Sequence, residues 1–206
     1  STVAATGKPL IISTGMANID EIDECVNAAR EAGCKDLILL KCTSAYPASP
    51  KDAHILTIPH MRERFKCEVG LSDHTLGIGV SVASVALGAT VIEKHFTLNR
   101  DDGGVDSQFS MEPHEMKQLV TETAKARQAL GRINYNLSAT EEKSLQYRRS
   151  LYAVKDIKAG DRFTPDNIKA IRPGLGLPTK HIEMILTKKA KHDIKKGTPL
   201  KFEMLD

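Results

Sequence analysis

Apolar residues in the first 130 positions fall into four short, nearly continuous runs, and each run breaks off into hydroxyl, acidic or imidazole side chains. The runs lie in Lys8–Met16, Leu37–Cys42, Glu68–Thr75 and Val91–Phe96. Between them the apolar period lengthens to that of a helix. Asn18 with Glu21 three residues on forms a capping box that opens a helix through Ile22, Cys25, Val26 and Ala29, closed by Gly33. Asp52–Phe65 predicts a second helix, broken or kinked at Pro59. Small and aliphatic residues from Ile78 to Gly88 predict a third. Glu112–Leu130 predicts a long amphipathic fourth, with Met116, Leu119, Val120, Thr123, Ala126 and Leu130 facing inward. Strands without polar alternation are buried on both faces, so this order predicts an α/β fold with a parallel sheet covered by helices. Four βα units amount to half of an eightfold barrel. Ser1–Gly7 reads as the tail of a preceding helix and the chain as the carboxyl-terminal part of a longer protein, because a half barrel alone would expose two apolar edges.

Residues 131–147 are polar and turn-rich and read as a linker. Beyond them the pattern changes to short β-like runs between Gly and Pro turns. Asp156-Ile-Lys-Ala-Gly160 is echoed by Asp193-Ile-Lys-Lys-Gly197, which predicts two similar β-turn-β units in a small domain over residues 148–206.

Charge sharpens this division. The net charge of +3 is the balance of +7 in residues 148–206 and −4 in the rest. A basic module suits anionic small molecules or an acidic partner face. At 4% aromatic content, and without an Arg/aromatic pattern for stacking bases, the sequence gives no reason to expect nucleic acid. Nor does any apolar run reach the length of a membrane span. Four cysteines on separate elements, with no Cys-x-x-Cys, read as reduced, buried thiols of a cytoplasmic protein.

In parallel α/β folds chemistry collects at the carboxyl ends of strands. His74 and His95 would lie at the same end of adjacent strands, with Asp73 and Glu93 beside them. On geometry alone, a shared metal ion and a pair of structural histidines are equal readings.

Six segments taken together go further. Ile12-Ser-Thr-Gly-Met16, Lys41-Cys-Thr-Ser-Ala-Tyr-Pro47, Gly70-Leu-Ser-Asp-His-Thr75, Glu93-Lys-His-Phe96, Asp102-Gly-Gly-Val-Asp-Ser-Gln-Phe-Ser-Met111 and Ile171-Arg-Pro-Gly-Leu-Gly176 resemble, in order, the sialic acid synthase family. The resemblance implies the second half of a (β/α)8 TIM-type barrel in residues 1–130, followed by a small β-rich SAF (antifreeze-like) domain. It implies condensation of phosphoenolpyruvate with an acylamino sugar to a nine-carbon 2-keto acid, with release of phosphate. The Asp-Gly-Gly-Val-Asp-Ser form and Ser44 tilt the resemblance toward the pseudaminic branch, which uses a 2,4-diacetamido-2,4,6-trideoxy hexose; the N-acetylneuraminate and legionaminate branches are the alternative. A non-catalytic sugar-binding or dimerisation module is the alternative of another class.

By the same resemblance, His74 and His95 hold a divalent cation, Mn2+ or Mg2+, which acts as a Lewis acid on the aldehyde. Two imidazoles suit manganese better. Ser13, Ser44, Tyr46 and Ser72 would bind phosphoenolpyruvate. From their places at strand ends, Lys94 could reach substrate at the barrel mouth or extend to solvent, and Glu93 could be an acid/base group, a partner of the metal ligands or a carboxylate that only braces a strand. Asp106 would bind the sugar, and Arg172 would reach the sugar site of a second subunit in a domain-swapped homodimer. Without the resemblance each serine reads rather as a strand-end cap or turn bond, and Arg172 as a surface residue before a Pro-Gly turn.

Overall fold

The computed structural model describes residues 2–206. Two compact units divide the chain, one ending at Arg132 and the other running from Ile133 to Asp206.

In the first unit β1 (Leu10–Ser13), β2 (Leu37–Cys42), β3 (Glu68–Ser72) and β4 (Ile92–Glu93) pair in chain order as one parallel half-barrel sheet. α1 (Ile19–Glu31), α2 (Thr57–Phe65) and α3 (Gly79–Ala86) connect them, and α4 (Pro113–Leu130) follows. Side chains alternate across a strand, so each strand is sorted by parity. Leu37, Leu39, Val69 and Leu71 face the helices and pack with Val26, Ile58, Met61 and Phe65 into the main core. The other set, which includes Ser13, Cys42, Gly70, Ser72 and Glu93, faces the opposite side. Gly70 is required there: a Cβ would stand 2.3 Å from the Val91 carbonyl oxygen and 2.7 Å from Leu40 Cδ2.

The capping box forms at the start of α1, with the Asn18 side chain accepting from the Asp20 and Glu21 amides at 3.0 Å each. Pro59 neither breaks nor kinks a helix. It is the third residue of α2, where the missing N–H has no partner to lose, so the helix begins around it. Of the face expected to point inward on α4, Leu119 is buried, but Val120 is 61% and Leu130 46% exposed. The cysteines are free, and none is fully buried; Cys25 is exposed. None of the described helices is long and apolar enough to cross a membrane.

In the second unit α5 (Ala139–Ser144) lies within the stretch read as linker, opened by a Ser138–Glu141 capping box. β5 (Ser150–Ala153) pairs antiparallel with β6 (Ile168–Ile171), and α6 (Ile182–Leu186) follows. The core gathers Leu151, Ile157, Phe163, Ile168, Ile185 and Leu200 among its buried residues. The sequence echo becomes a reciprocal contact. Ile157 and Ile194 exchange amide–carbonyl bonds at 2.9 and 2.8 Å. Asp156 accepts from the Lys196 amide at 2.7 Å, and Asp193 accepts from the Ala159 amide at 2.9 Å. Each aspartate thus caps the other repeat's turn.

Candidate active site

β3 and β4 end side by side, with Ser72 opposite Glu93 in register. Ser72 Oγ donates to Glu93 Oε1 at 2.7 Å. Two residues further along each strand, on the same face, stand His74 and His95. Their ring centroids are 5.2 Å apart, with planes at 62°. His74 is 8% exposed.

Both imidazoles turn the same nitrogen toward an acceptor. His74 Nδ1 lies 2.9 Å from the Thr43 carbonyl oxygen, which can only accept, so the proton is assigned to Nδ1. His95 Nδ1 lies 3.4 Å from Asp106 Oδ2, again an acceptor. His74 therefore keeps Nε2 as its lone-pair nitrogen, the arrangement of a histidine oriented for a metal by a carbonyl behind it, and His95 has a carboxylate beside its Nδ1. Tyr46 packs against the pair, tilted to His74 and edge-on to His95, its ring centroid 4.4 Å from that of His74 and 5.7 Å from that of His95. Phe109 packs on His95 at 5.1 Å. Two nitrogens with carboxylates close by are a donor set that fits a divalent metal ion. Two protein nitrogens do not fill a coordination sphere, which leaves positions for water or substrate.

Among the described residues, the group of three metal-capable side chains whose ligand atoms lie within 4.8 Å of one another is a different one, Glu112, His114 and Glu115. Its carboxylates are already committed. Glu112 accepts from the Arg100 amide at 3.0 Å. Glu115 accepts from the Glu112 amide at 2.9 Å and from the Arg100 guanidinium. The Glu112 amide and Arg100 hold the Glu115 carboxyl below its ordinary value. This cluster is the helix cap of α4.

Ser13 ends β1 on the face that carries Ser72, and Ser44 follows β2 against Gly15, where a Cβ would meet Ser44 Oγ at 2.2 Å. Arg172 belongs to the second unit, exposed just after β6.

The expectation for Lys94 needs correction. One residue from His95 on the same strand, it points to the opposite face. Its ammonium lies 3.1 Å from Asp73 Oδ2, 2.7 Å from the Thr75 carbonyl and 3.0 Å from the Gly77 carbonyl. The two side chains are 2% and 0% exposed. Three N–H donors meet three acceptors within the chain, leaving none for substrate. Lys41 shares this parity. Its Nζ donates to Thr43 Oγ1 at 2.6 Å and to the Cys42 carbonyl at 3.3 Å, and burial pushes its pKa down.

Sequence reasoning missed Thr43, whose role is carried by a backbone carbonyl and leaves no mark on residue type. It also passed over Asp73 as a partner for Lys94, although matching parity at adjacent strand ends pointed to the pair.

The chain belongs to the NeuB family, whose sequence profile matches residues 1–135, and an SAF domain profile matches residues 148–206. It is 43% identical over 199 residues to the pseudaminic acid synthase of Campylobacter jejuni, covering 97% of this chain and 58% of that protein. It is 41% identical to the N,N'-diacetyllegionaminic acid synthase of the same organism, covering 94% and 59%. Among solved structures it is similar to the N-acetylneuraminic acid synthetase of Leptospira borgpetersenii, at 36% identity and a TM-score of 0.62, covering 70% of this chain and 50% of that one. The chain thus spans somewhat more than half the length of the named synthases it matches.

Proposed function

We propose that this chain carries the metal-binding and phosphoenolpyruvate-binding strand ends of a pseudaminic acid synthase. The reaction joins phosphoenolpyruvate, a 2,4-diacetamido-2,4,6-trideoxy hexose and water into a nine-carbon 2-keto sugar acid and phosphate. The observation that carries the reading is the imidazole pair, with ring centroids 5.2 Å apart, His74 Nδ1 held by the Thr43 carbonyl and His95 Nδ1 beside Asp106. Likeness to the named synthases supplies the substrate class.

In this reading His74 and His95 hold a divalent cation, Mn2+ before Mg2+, through Nε2. When bound, the cation supplies a Lewis acid for the aldehyde oxygen as the carbon–carbon bond forms. The methylene carbon of the enol attacks the aldehyde carbon, water adds at the former enol carbon, and the carbon–oxygen bond to phosphate breaks. Ser13, Ser44, Tyr46 and Ser72 offer hydroxyls to the phosphate and carboxylate of phosphoenolpyruvate. A hydroxyl has one proton, so Ser72 must release Glu93 Oε1 to donate to substrate. That exchange would free the Glu93 carboxylate to take a proton from the attacking water. Asp106, close to His95 and half-exposed, can receive sugar hydroxyls. Arg172 offers paired donors to a sugar edge, and we extend the reading to a homodimer in which the small unit of one copy serves the site of the other.

Phosphate release by the full-length protein, with phosphoenolpyruvate, Mn2+ and a panel of acylamino sugars, tests this. Release is expected with the 2,4-diacetamido-2,4,6-trideoxy hexose of pseudaminic configuration. Release with N-acetylmannosamine or the legionaminic isomer alone would move the assignment to those branches. No release with any sugar would leave the non-catalytic sugar-binding module.

A further inference from the structure

The backbone ladder between β3 and β4 is short. β4 has two residues, and the last amide–carbonyl bond across the pair runs from Asp73 to Glu93 at 2.9 Å. His74 and His95 both lie past that bond; their carbonyls accept from the Ala48 amide at 2.9 Å and the Met111 amide at 2.8 Å, and no backbone bond joins one tip directly to the other. The tie is on the reverse face. There Lys94 Nζ bonds to Asp73 and to the Thr75 and Gly77 carbonyls. The carboxylate is fully engaged too: Oδ1 accepts from the Thr75 amide at 2.9 Å and hydroxyl at 2.7 Å, and Oδ2 accepts from Ser81 Oγ of α3 at 2.5 Å.

A buried ion pair is a weak source of stability, because desolvating two charges offsets most of their attraction and apolar replacements of similar volume are often as stable. Its best-attested use is to fix one arrangement among several. Here each partner immediately precedes one of the two histidines, and strand parity turns any shift of Asp73 or Lys94 into a shift of the imidazole beside it.

We propose that Asp73 and Lys94 are positioning residues whose buried ion pair locks the tips of β3 and β4 so that His74 and His95 face one cation. The inference rests on the reading of those histidines as a metal pair.

The test uses the protein and its Lys94→Met, Asp73→Leu/Lys94→Met and Ser81→Ala variants. Three quantities are followed: Mn2+ affinity by electron paramagnetic resonance, thermal midpoint by circular dichroism, and the nuclear Overhauser contact between the two imidazole rings in the metal-free state. Positioning groups around metal ligands affect affinity by about 10- to 100-fold, and a loss of that size is expected in Lys94→Met together with loss of the ring contact. The apolar double variant should recover much of the midpoint but not the affinity. Ser81→Ala keeps both charges and removes one donor, so it should fold and lose affinity by a smaller factor. A folded double variant with native affinity and native ring contact would overturn the proposal. So would an unchanged ring contact and affinity in both Ser81→Ala and Lys94→Met. If the unaltered protein itself binds no Mn2+, the metal reading fails separately, and the ring contact alone decides whether the pair positions the histidines.

Discussion

The two units solve opposite problems, one ending at Arg132 and the other running from Ile133 to Asp206. The small unit closes on itself: Leu151, Ile185 and Leu200 are fully buried, and its two turns are capped by aspartates from each other's repeat. The barrel half keeps its main core on the helix side of its sheet. On the other side Ile11 is 50% exposed, and beyond the sheet Val120 is 61% exposed. The candidate chemistry gathers at that open face. A unit built to be stable spends its polar groups on its own turns, whereas a unit built to act leaves hydroxyls, imidazoles and a carboxylate at strand ends. The exception in the barrel half is the Asp73–Lys94 network, which is as fully satisfied as any contact in the small unit and sits directly behind the histidines.

Core truncation should separate the units most sharply. Phe163 is 2% exposed, and Phe163→Ala should cost about 3–5 kcal/mol, comparable to the whole stability of so small a domain. Differential scanning calorimetry should show the small unit's transition lost and the barrel's retained. Gly70→Ala should act the other way. It forces a methyl against the Val91 carbonyl and should cost the barrel about 1–3 kcal/mol. A single transition that moves equally in both variants would contradict the division drawn here.

A smaller effect concerns acid. The Lys196 amide and then the Lys195 ammonium hold Asp156 below the usual carboxylate range. The Lys158 ammonium and then the Ala159 amide do the same for Asp193. With folded values below the unfolded value of about 3.9, the unfolded state binds more protons as pH falls. These caps therefore contribute fully above the unfolded value and are lost as pH drops through the folded ones. The midpoint of the small unit should fall between about pH 5 and pH 2, and less steeply in Asp156→Asn/Asp193→Asn. An identical slope in that variant would remove the caps from the account.

What could be read from the sequence follows what local chemistry determines. The Asn18–Glu21 capping box, the strand order and the Asp-Ile-Lys-x-Gly echo are local patterns, and each forms. Pro59 was misjudged because a proline signals a helix boundary without saying which end. The Ser138–Glu141 box is a helix start set in a polar texture that reads as linker. Val120 and Leu130 followed the helical period, but a period identifies a face without identifying what covers it. Lys94 was the instructive error: strand parity alone turns it away from His95. The Thr43 carbonyl behind His74 could not have been found, since any residue carries one.

The central claim is that His74 and His95 share one cation through Nε2. Electron paramagnetic resonance of the Mn2+-loaded protein, with the imidazole nitrogens labelled with 15N, tests it most directly. Hyperfine coupling to two histidine nitrogens is predicted, falling to one in His74→Ala and one in His95→Ala. Coupling to a single nitrogen that survives both substitutions would put the ion elsewhere, with the Glu112–His114–Glu115 cluster as the first place to look.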